Sequence, residues 1–508
     1  MPKINATHAQ YDARQEQWQR CRDAADGSDA VKKVGTRYLP QLSGQSGPEY
    51  EAYKLRADWY GATDRTLAGL AGAIFRRAMK VEFLEGPLAA KIVDNLSLSG
   101  LSMHQVVYTL VQGLLTVGRH ILWVDYPGEY SVDARPYVVA MQTEAVINWG
   151  TMVHGGREQL AWVVLAEEAE RWKDGDRFQR EVYPRWRLLE LVWGGDAGVD
   201  TAGGTSNYQY EVSLWERNIS TQIGGDEFIE VERTIPLRRG KPLDFVPVVF
   251  FGPTDTTPEV DKPPLLDLVD MNFSHYRSSA DLEHGRHFVG LPTPWVAGFP
   301  RDINLRIGSN IAWVSNDTSA KAGILEFTGQ GLGALEKALE SKERLMAVLG
   351  ARLLEEQKRA AEAAATVELR QTGETSTLIR IIQVVEEGFS QILRWVAWWA
   401  GLTADPVDPS ITVTLNRDLA AIRATPQEVA ALVQALQGGV MAFETVYANL
   451  ERLEMTREGV TAEDELAAIQ AREEQTLVER PGMAPSPADQ VRIQQTVEAV
   501  ARQAGAAI

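Results

Sequence analysis

Pro263–Gly298 reads PPLLDLVDMNFSHYRSSADLEHGRHFVGLPTPWVAG, and Leu325–Glu356 reads LEFTGQGLGALEKALESKERLMAVLGARLLEE. In the first stretch, helical periodicity covers Leu265–His284. In the second, Leu335, Leu339, Met346, Leu349 and Leu353 line one face of a helix that continues to about Glu356. The intervening Gly290–Thr328 is broken by Pro and Gly and predicts short strands at Ile311–Val314 and Ile324–Phe327. Two helices flanking a small β segment decide the fold.

Working outward, Gln357–Thr377 is rich in Ala, Glu and Thr, contains Gly373, and predicts a weak helix with a break. Leu378, Ile382, Val385, Phe389, Ile392, Val396 and Trp399 then alternate four and three apart over three heptads. That spacing is a coiled-coil-type seam, and it suits packing against a neighbouring subunit or ordinary core packing equally. Ile411–Leu415 predicts a short strand. From Thr425 to Ile508 there are 13 acidic and 6 basic residues, in two helical stretches parted by Arg480–Pro487.

On the amino-terminal side, residues 1–48 are polar and predict an extended or partly helical arm. Leu55, Trp59, Leu67, Leu70 and Ile74 approximate one apolar stripe, and Leu101–Val117 predicts a helix ended by Gly118. Seven short strands follow: Ile121–Val124, Tyr137–Met141, Trp162–Leu165, Phe178–Tyr183, Trp186–Trp193, Tyr208–Glu216 and Phe228–Glu230. The apolar segment Phe245–Phe251 closes this mixed α/β body. No repeat of 20–50 residues is visible.

Composition narrows the function classes. In 508 residues, 51 Lys and Arg stand against 69 Asp and Glu, a net charge of −18, which argues against a protein that coats nucleic acid with a broad basic face. The one cysteine, Cys21, excludes an intrachain disulfide framework and a cysteine-based zinc site. The polar amino terminus gives no expectation of a signal peptide, and no apolar run approaches the roughly 18 residues of a membrane span.

Catalytic motifs fail on context. Gly329-x-Gly331-x-x-Ala334 follows a predicted strand and opens a helix, but a dinucleotide site needs a second parallel strand and a ribose-binding acid about 20 residues on. His284 and His287 lie near Asp281 and Glu283 without a second cluster to complete a metal site. A phosphate-binding GxxxxGK[ST], HExxH and GxSxG are missing. The expectation is a protein that is not an enzyme and carries no cofactor and no metal.

The order of these parts resembles the portal proteins of tailed bacteriophages, in a subgroup long known as a domain of unknown function. Tyr38–Arg77, Val146–Trp149, Pro242–Gly252, Pro263–Gly298 and Leu325–Leu378 carry that resemblance. It implies an α+β portal fold with a mixed α/β wing, a two-helix stem, a small β-containing clip, a long wing helix and a helical crown. Its segments would be an arm at 1–48, the wing at 49–262, stem helices at 263–287 and 329–356, and the clip at 288–328. A tunnel loop would follow at 357–377, then the wing helix and strand at 378–423 and the crown and acidic tail at 424–508. The resemblance implies twelve copies in a ring at one capsid vertex of the virion, a channel for packaging and ejecting double-stranded DNA. The implied partners are the terminase large subunit, a head-tail adaptor and the major capsid or scaffolding protein, with no membrane. Lys358, Arg359 and Arg370 would meet DNA weakly, Trp295, Arg301, Arg306 and Trp313 would meet terminase or adaptor, and the Leu378–Trp399 stripe would pack between subunits. Another virion component, such as a minor head or adaptor protein, is the alternative, and a dehydrogenase using Gly329–Ala334 a remote one.

Overall fold

The computed structural model describes residues 3–127, 134–154, 156–173, 175–194, 208–218, 227–290, 293–299, 313–325, 329, 331–351, 377–417, 419, 432, 434–436, 438, 440–452, 455–457 and 460–478. They fall into two units, divided after Leu419. The first unit is a mixed α/β body.

The chain enters on α1 (Ala9–Asp26) and α2 (Ser28–Val34). His8 starts α1 by accepting the Gln10 N–H at Nδ1, and Tyr11, Trp18 and Cys21 go into the core from one face. Tyr38 donates to Asp23 at 2.5 Å, with both side chains buried. The first 48 residues therefore do not form a separate arm: their aromatic side chains are part of the main core. Burial holds the Cys21 thiol up at about 12, so it stays protonated and inert.

Next come α3 (Gly47–Arg56) and α4 (Ala62–Ile74), then β1 (Lys80–Glu82), α5 (Pro87–Asp94) and α6 (Met103–Val117). A capping box between Ser46 and Glu49 starts α3. The stripe expected from Leu55 to Ile74 is broken between α3 and α4, and Leu55 is exposed. Ser102 and Gln105 form a second capping box on α6. Gly118 ends α6 with φ +73°, and a Cβ there would lie 3.1 Å from the Lys262 carbonyl oxygen, so both conformation and space require glycine.

The β-rich region contains β2 (His120–Asp125), β3 (Tyr137–Met141), β4 (Val146–His154), β5 (Arg157–Lys173), β6 (Asp176–Trp193), β7 (Tyr208–Arg217) and β8 (Phe228–Thr234). It ends with β9 (Leu237–Arg238), β10 (Lys241–Pro242) and β11 (Val248–Phe251). One sheet has the order β11-β2-β3 and the larger one is the meander β4-β5-β6-β7-β8. Two of the expected short strands, Phe178–Tyr183 and Trp186–Trp193, are one 18-residue strand, β6. Pro184 is tolerated inside β6 because β7 pairs only from Arg185 onward.

The body closes with α7 (Leu266–Gly290), β12 (Thr293–Ala297), β13 (Lys321–Leu325), α8 (Leu332–Ala351), α9 (Thr377–Trp399) and β14 (Thr412–Thr414), which pairs with β1. The second unit contains α10 (Phe443–Arg452) and α11 (Ala462–Val478), tied by the Tyr447 hydroxyl donating to the Val460 carbonyl at 2.9 Å.

α9 is buried almost all round, with Thr377, Arg380, Gln383 and Glu387 its exposed residues. Leu378, Ile382, Val385, Phe389, Ile392, Val396 and Trp399 are all buried within this one chain. The expected inter-subunit seam is thus corrected to a core stripe: α6, β2 and β11 of the same chain cover it. Gly388 leaves no room for a Cβ against the Phe251 ring. Val385→Asp is therefore expected to unfold the body, at a cost of several kcal/mol for an unpaired buried charge. Gln383→Ala, on the exposed strip, should stay within about 0.5 kcal/mol of the parent. Thermal melts followed by near-ultraviolet circular dichroism check both.

His120 begins β2 fully enclosed, its Nε2 without a partner among the described residues. Desolvation lowers its pKa to about 3. Folding therefore favours the neutral ring. The stability this gives is complete above the unfolded value of about 6.5 and is lost as pH falls toward 3. At pH 5 the loss is about 2 kcal/mol, and His120→Gln should flatten the slope of stability between pH 6.5 and 5 in denaturant titrations.

Candidate assembly site

α7 and α8 make an antiparallel stalk whose root is inside the body. α7 has 25 residues, about 37 Å at 1.5 Å per residue. Its first part is buried, through Val269, Phe273, Tyr276, Ala280 and Leu282, whereas nothing from Glu283 to Gly290 is fully buried. The sequence explains this change: apolar side chains give way to the polar EHGRH.

Directional bonds fix the root. Asp281 accepts from the Tyr53 hydroxyl at 2.7 Å, Asn272 donates to Thr63 at 3.2 Å, and the Ser279 hydroxyl accepts the Asp58 N–H at 3.3 Å. Arg20 of α1 lies 3.1 Å from Asp270. Beside this root, Gly350 of α8 faces Thr66 of α4, where a Cβ would come within 3.1 Å of the Thr66 methyl.

Three polar links tie the two helices together. Lys342 donates to the Ser274 carbonyl at 2.9 Å and the Ser278 hydroxyl at 2.6 Å. Arg286 bridges Glu283 and Glu336 at 2.6 and 2.8 Å. His275 Nε2 lies 3.3 Å from Glu343. Burial lowers the pKa of both His275 and Lys342. At Gly285 the helices approach so closely that a Cβ would lie 2.6 Å from Leu332 Cδ2.

The strands β12 and β13 pair from Thr293↔Leu325 to Ala297↔Lys321, and among the described elements their substantial packing is with each other. Trp295 lies across Gly323, where a Cβ would sit 2.8 Å from the indole nitrogen. Phe288, Trp295, Val314 and Ile324 are exposed around this strand pair.

Of the residues singled out from sequence, Trp295 is exposed in β12 and Trp313 is half-buried in the connection that follows it. Arg301, Arg306, Lys358, Arg359 and Arg370 lie outside the described residues, as do Ile311, Phe327 and the rest of the expected tunnel loop to residue 376. His284 packs edge-on against Tyr53 and Phe288. Gly329 has φ +63° and lies against Val289 and Leu332. The preceding β13 pairs antiparallel with β12, so this turn does not open a parallel βαβ unit. Among the described residues no group of three His, Cys, Asp or Glu is placed to hold a metal ion, and no helix is long and apolar enough to cross a membrane.

A family model described as a domain of unknown function, DUF4055, matches residues 264–400, from the start of α7 to the end of α9. No curated protein matches the chain. Among solved structures, the chain is similar to the neck of an empty GTA particle computed with C6 symmetry, at 11% identity and a TM-score of 0.35, covering 85% of this chain and 99% of that one. It is also similar to the neck of a native GTA particle computed with C12 symmetry, at 10% identity and a TM-score of 0.35, covering 83% and 98%. A third is the virion of a native gene transfer agent particle, at 10% identity and a TM-score of 0.34, with the same coverage.

Because Trp295 lies across Gly323 of its own strand pair, which among the described elements packs substantially only with itself, Trp295→Ser should leave the melting temperature of the body unchanged. Hydrogen exchange is expected to accelerate in β12 and β13 and not in α9.

Proposed function

We propose that this chain is the repeating subunit of a portal-type ring, a DNA conduit at the head-tail junction of a phage-like particle. The observation that carries the reading is the rooted stalk. α7 leaves the core, an exposed strand pair turns the chain, and α8 returns to the core. The stretches that resemble portal proteins, Pro263–Gly298 and Leu325–Leu378, fall on these elements, and the DUF4055 match covers them.

A ring subunit has to bind copies of itself through unlike surfaces so that rotation closes. α8 offers one such surface, because Leu345 and Val348 are exposed on the side turned from α7, in line with Ser341. A conduit also has to let a polyanion slide. Each basic side chain that neutralises a phosphate adds binding through counterion release, so a chain with net charge −18 suits low-friction passage. In this reading the β12–β13 end meets terminase and later an adaptor. Lys358, Arg359 and Arg370 touch DNA without reading bases. The protein is structural rather than catalytic.

Twelve copies of 56.2 kDa give about 670 kDa. Light scattering and negative-stain imaging of the purified chain should show closed rings, and a strictly monomeric protein at micromolar concentration would overturn the proposal. Replacing Lys358, Arg359 and Arg370 together by Ala should leave the rings intact and change genome content in a packaging assay; unchanged content would remove those side chains from the DNA path.

A further inference from the structure

The β4 edge of the five-stranded sheet is occupied by the start of the same chain. Ile147 of β4 accepts the His8 N–H and Asn148 donates to the Ala6 carbonyl, each at 2.9 Å, and Ile4 is buried. Residues 3–8 are thus fastened to β4 as a strap ahead of α1. Behind the strap, α1 has its own anchors. Tyr11 and Trp18 are buried, the Tyr11 hydroxyl donates to the Glu144 carbonyl at 3.0 Å, and Arg22 pairs with the Glu144 side chain. The strap can therefore leave without α1.

His8 joins strap to helix. Its Nδ1 accepts the Gln10 N–H at 3.2 Å, and its ring stacks on Trp149 with centroids 4.1 Å apart. The Arg119 guanidinium carbon lies 4.0 Å from the centre of the same indole. Two groups that close to one ring centre cannot share a face, so Trp149 lies between them. Arg119 is fully enclosed, 4.8 Å from the Phe250 ring centre, with Nη2 donating to the Pro258 carbonyl at 3.1 Å. Its Nε and Nη1 have no partner among the described residues. Burial lowers its pKa to about 9, which leaves it a cation at neutral pH.

A proton on His8 works against this arrangement in three ways. It takes Nδ1 away from Gln10, because an imidazolium has two donors and no acceptor. It sets a positive charge at the amino-terminal end of α1, where the helix dipole is itself positive. It also adds a second cation near Arg119. Asp12 in the first turn of α1 opposes these effects, and the indole face attracts a cation. Around the ring, β4 contributes the uncharged Ile147, Asn148 and Trp149. The loop whose Val260 N–H donates to Gln10 Oε1 at 3.2 Å holds Glu259 exposed. The neutral ring wins: burial first and then Arg119 lower the His8 pKa, and Asp12 only partly offsets them. Half-buried, the ring can still take a proton from solvent.

We propose that His8 is a proton-operated latch: neutral, it holds residues 3–8 on β4; protonated, it releases them and bares the β4 edge. The latch lies within one chain and does not rest on the ring reading. Because the docked strap favours the neutral ring, its stabilisation is complete above the unfolded value of about 6.5 and is lost as pH falls below it.

Hydrogen exchange of the full chain at about pH 7.5 and about pH 5.5, corrected for intrinsic rates, reads the latch. Peptides covering residues 4–12 should exchange at least about fivefold faster at the lower pH, the change that goes with losing a helix cap, while α9 stays protected. His8→Asn keeps a good capping side chain that takes no proton, and should abolish the acceleration. His120 is intact in that variant, so a general loss of stability would persist in it. Asp12→Asn removes the carboxylate that favours the imidazolium and should move the onset to lower pH. Three results would each overturn the latch: a parent strap equally protected at both pH values, an acceleration that survives His8→Asn, or an onset that Asp12→Asn leaves in place or raises.

Discussion

The structure depends on burying α9 on every side but the strip of Thr377, Arg380, Gln383 and Glu387. A helix apolar around most of its circumference has no stable place at a surface, so it must be surrounded. Its enclosed side chains each contribute about 1.5–3 kcal/mol only if other elements take water away from them. The sheet β11-β2-β3 and α6 supply that cover. Two polar residues on α9 then fix the chain that returns along it. Glu386 accepts the Leu415 N–H at 2.8 Å and pairs with Arg417, and the Ser390 hydroxyl accepts the Val413 N–H at 3.0 Å. Those bonds hold β14 in line to pair with β1.

The stalk follows from the same core by a different route. α7 begins against α1, α3 and α4, which hold its root. Further along α7 the sequence runs short of apolar residues, and polar bonds between the stalk helices take over. Arg286, bridging Glu283 and Glu336, is the link in that polar stretch, while Lys342 already crosses within the buried part, its ammonium reaching a backbone carbonyl and a hydroxyl of α7.

What was legible in the sequence was what local chemistry decides. The Ser102–Gln105 box and Gly118 bound α6 from within the segment, and Tyr137–Met141 matches β3 to the residue because apolar residues fill it and the chain turns on both sides. The outer part of β5, Ala166–Lys173, was not legible, because its charged residues carry no apolar period and are stabilised by cross-strand ion pairs that only register reveals, whereas the facing part of β6 was legible as Phe178–Tyr183. The amino-terminal helices were hidden by their polar average. Tyr11, Trp18 and Cys21, spaced seven and three apart, were the available sign that one face goes inside.

The stripe from Leu378 to Trp399 and the cluster at Trp172, Phe178 and Val182 make opposite points about one limit. Apolar spacing states that a face leaves water and is silent on what covers it. For α9, the α/β body of the same chain provides the cover, so its heptads say nothing about assembly. For the ribbon of residues 166–173 and 176–184, pairing with the neighbouring strands ends at Leu165 and Arg185, and the described chain leaves Trp172, Phe178 and Val182 half or more exposed. Subtracting the chain's own packing from its apolar faces leaves exposed side chains, among the described residues, on the ribbon, the β8 edge, the β12–β13 pair and the outer side of α8.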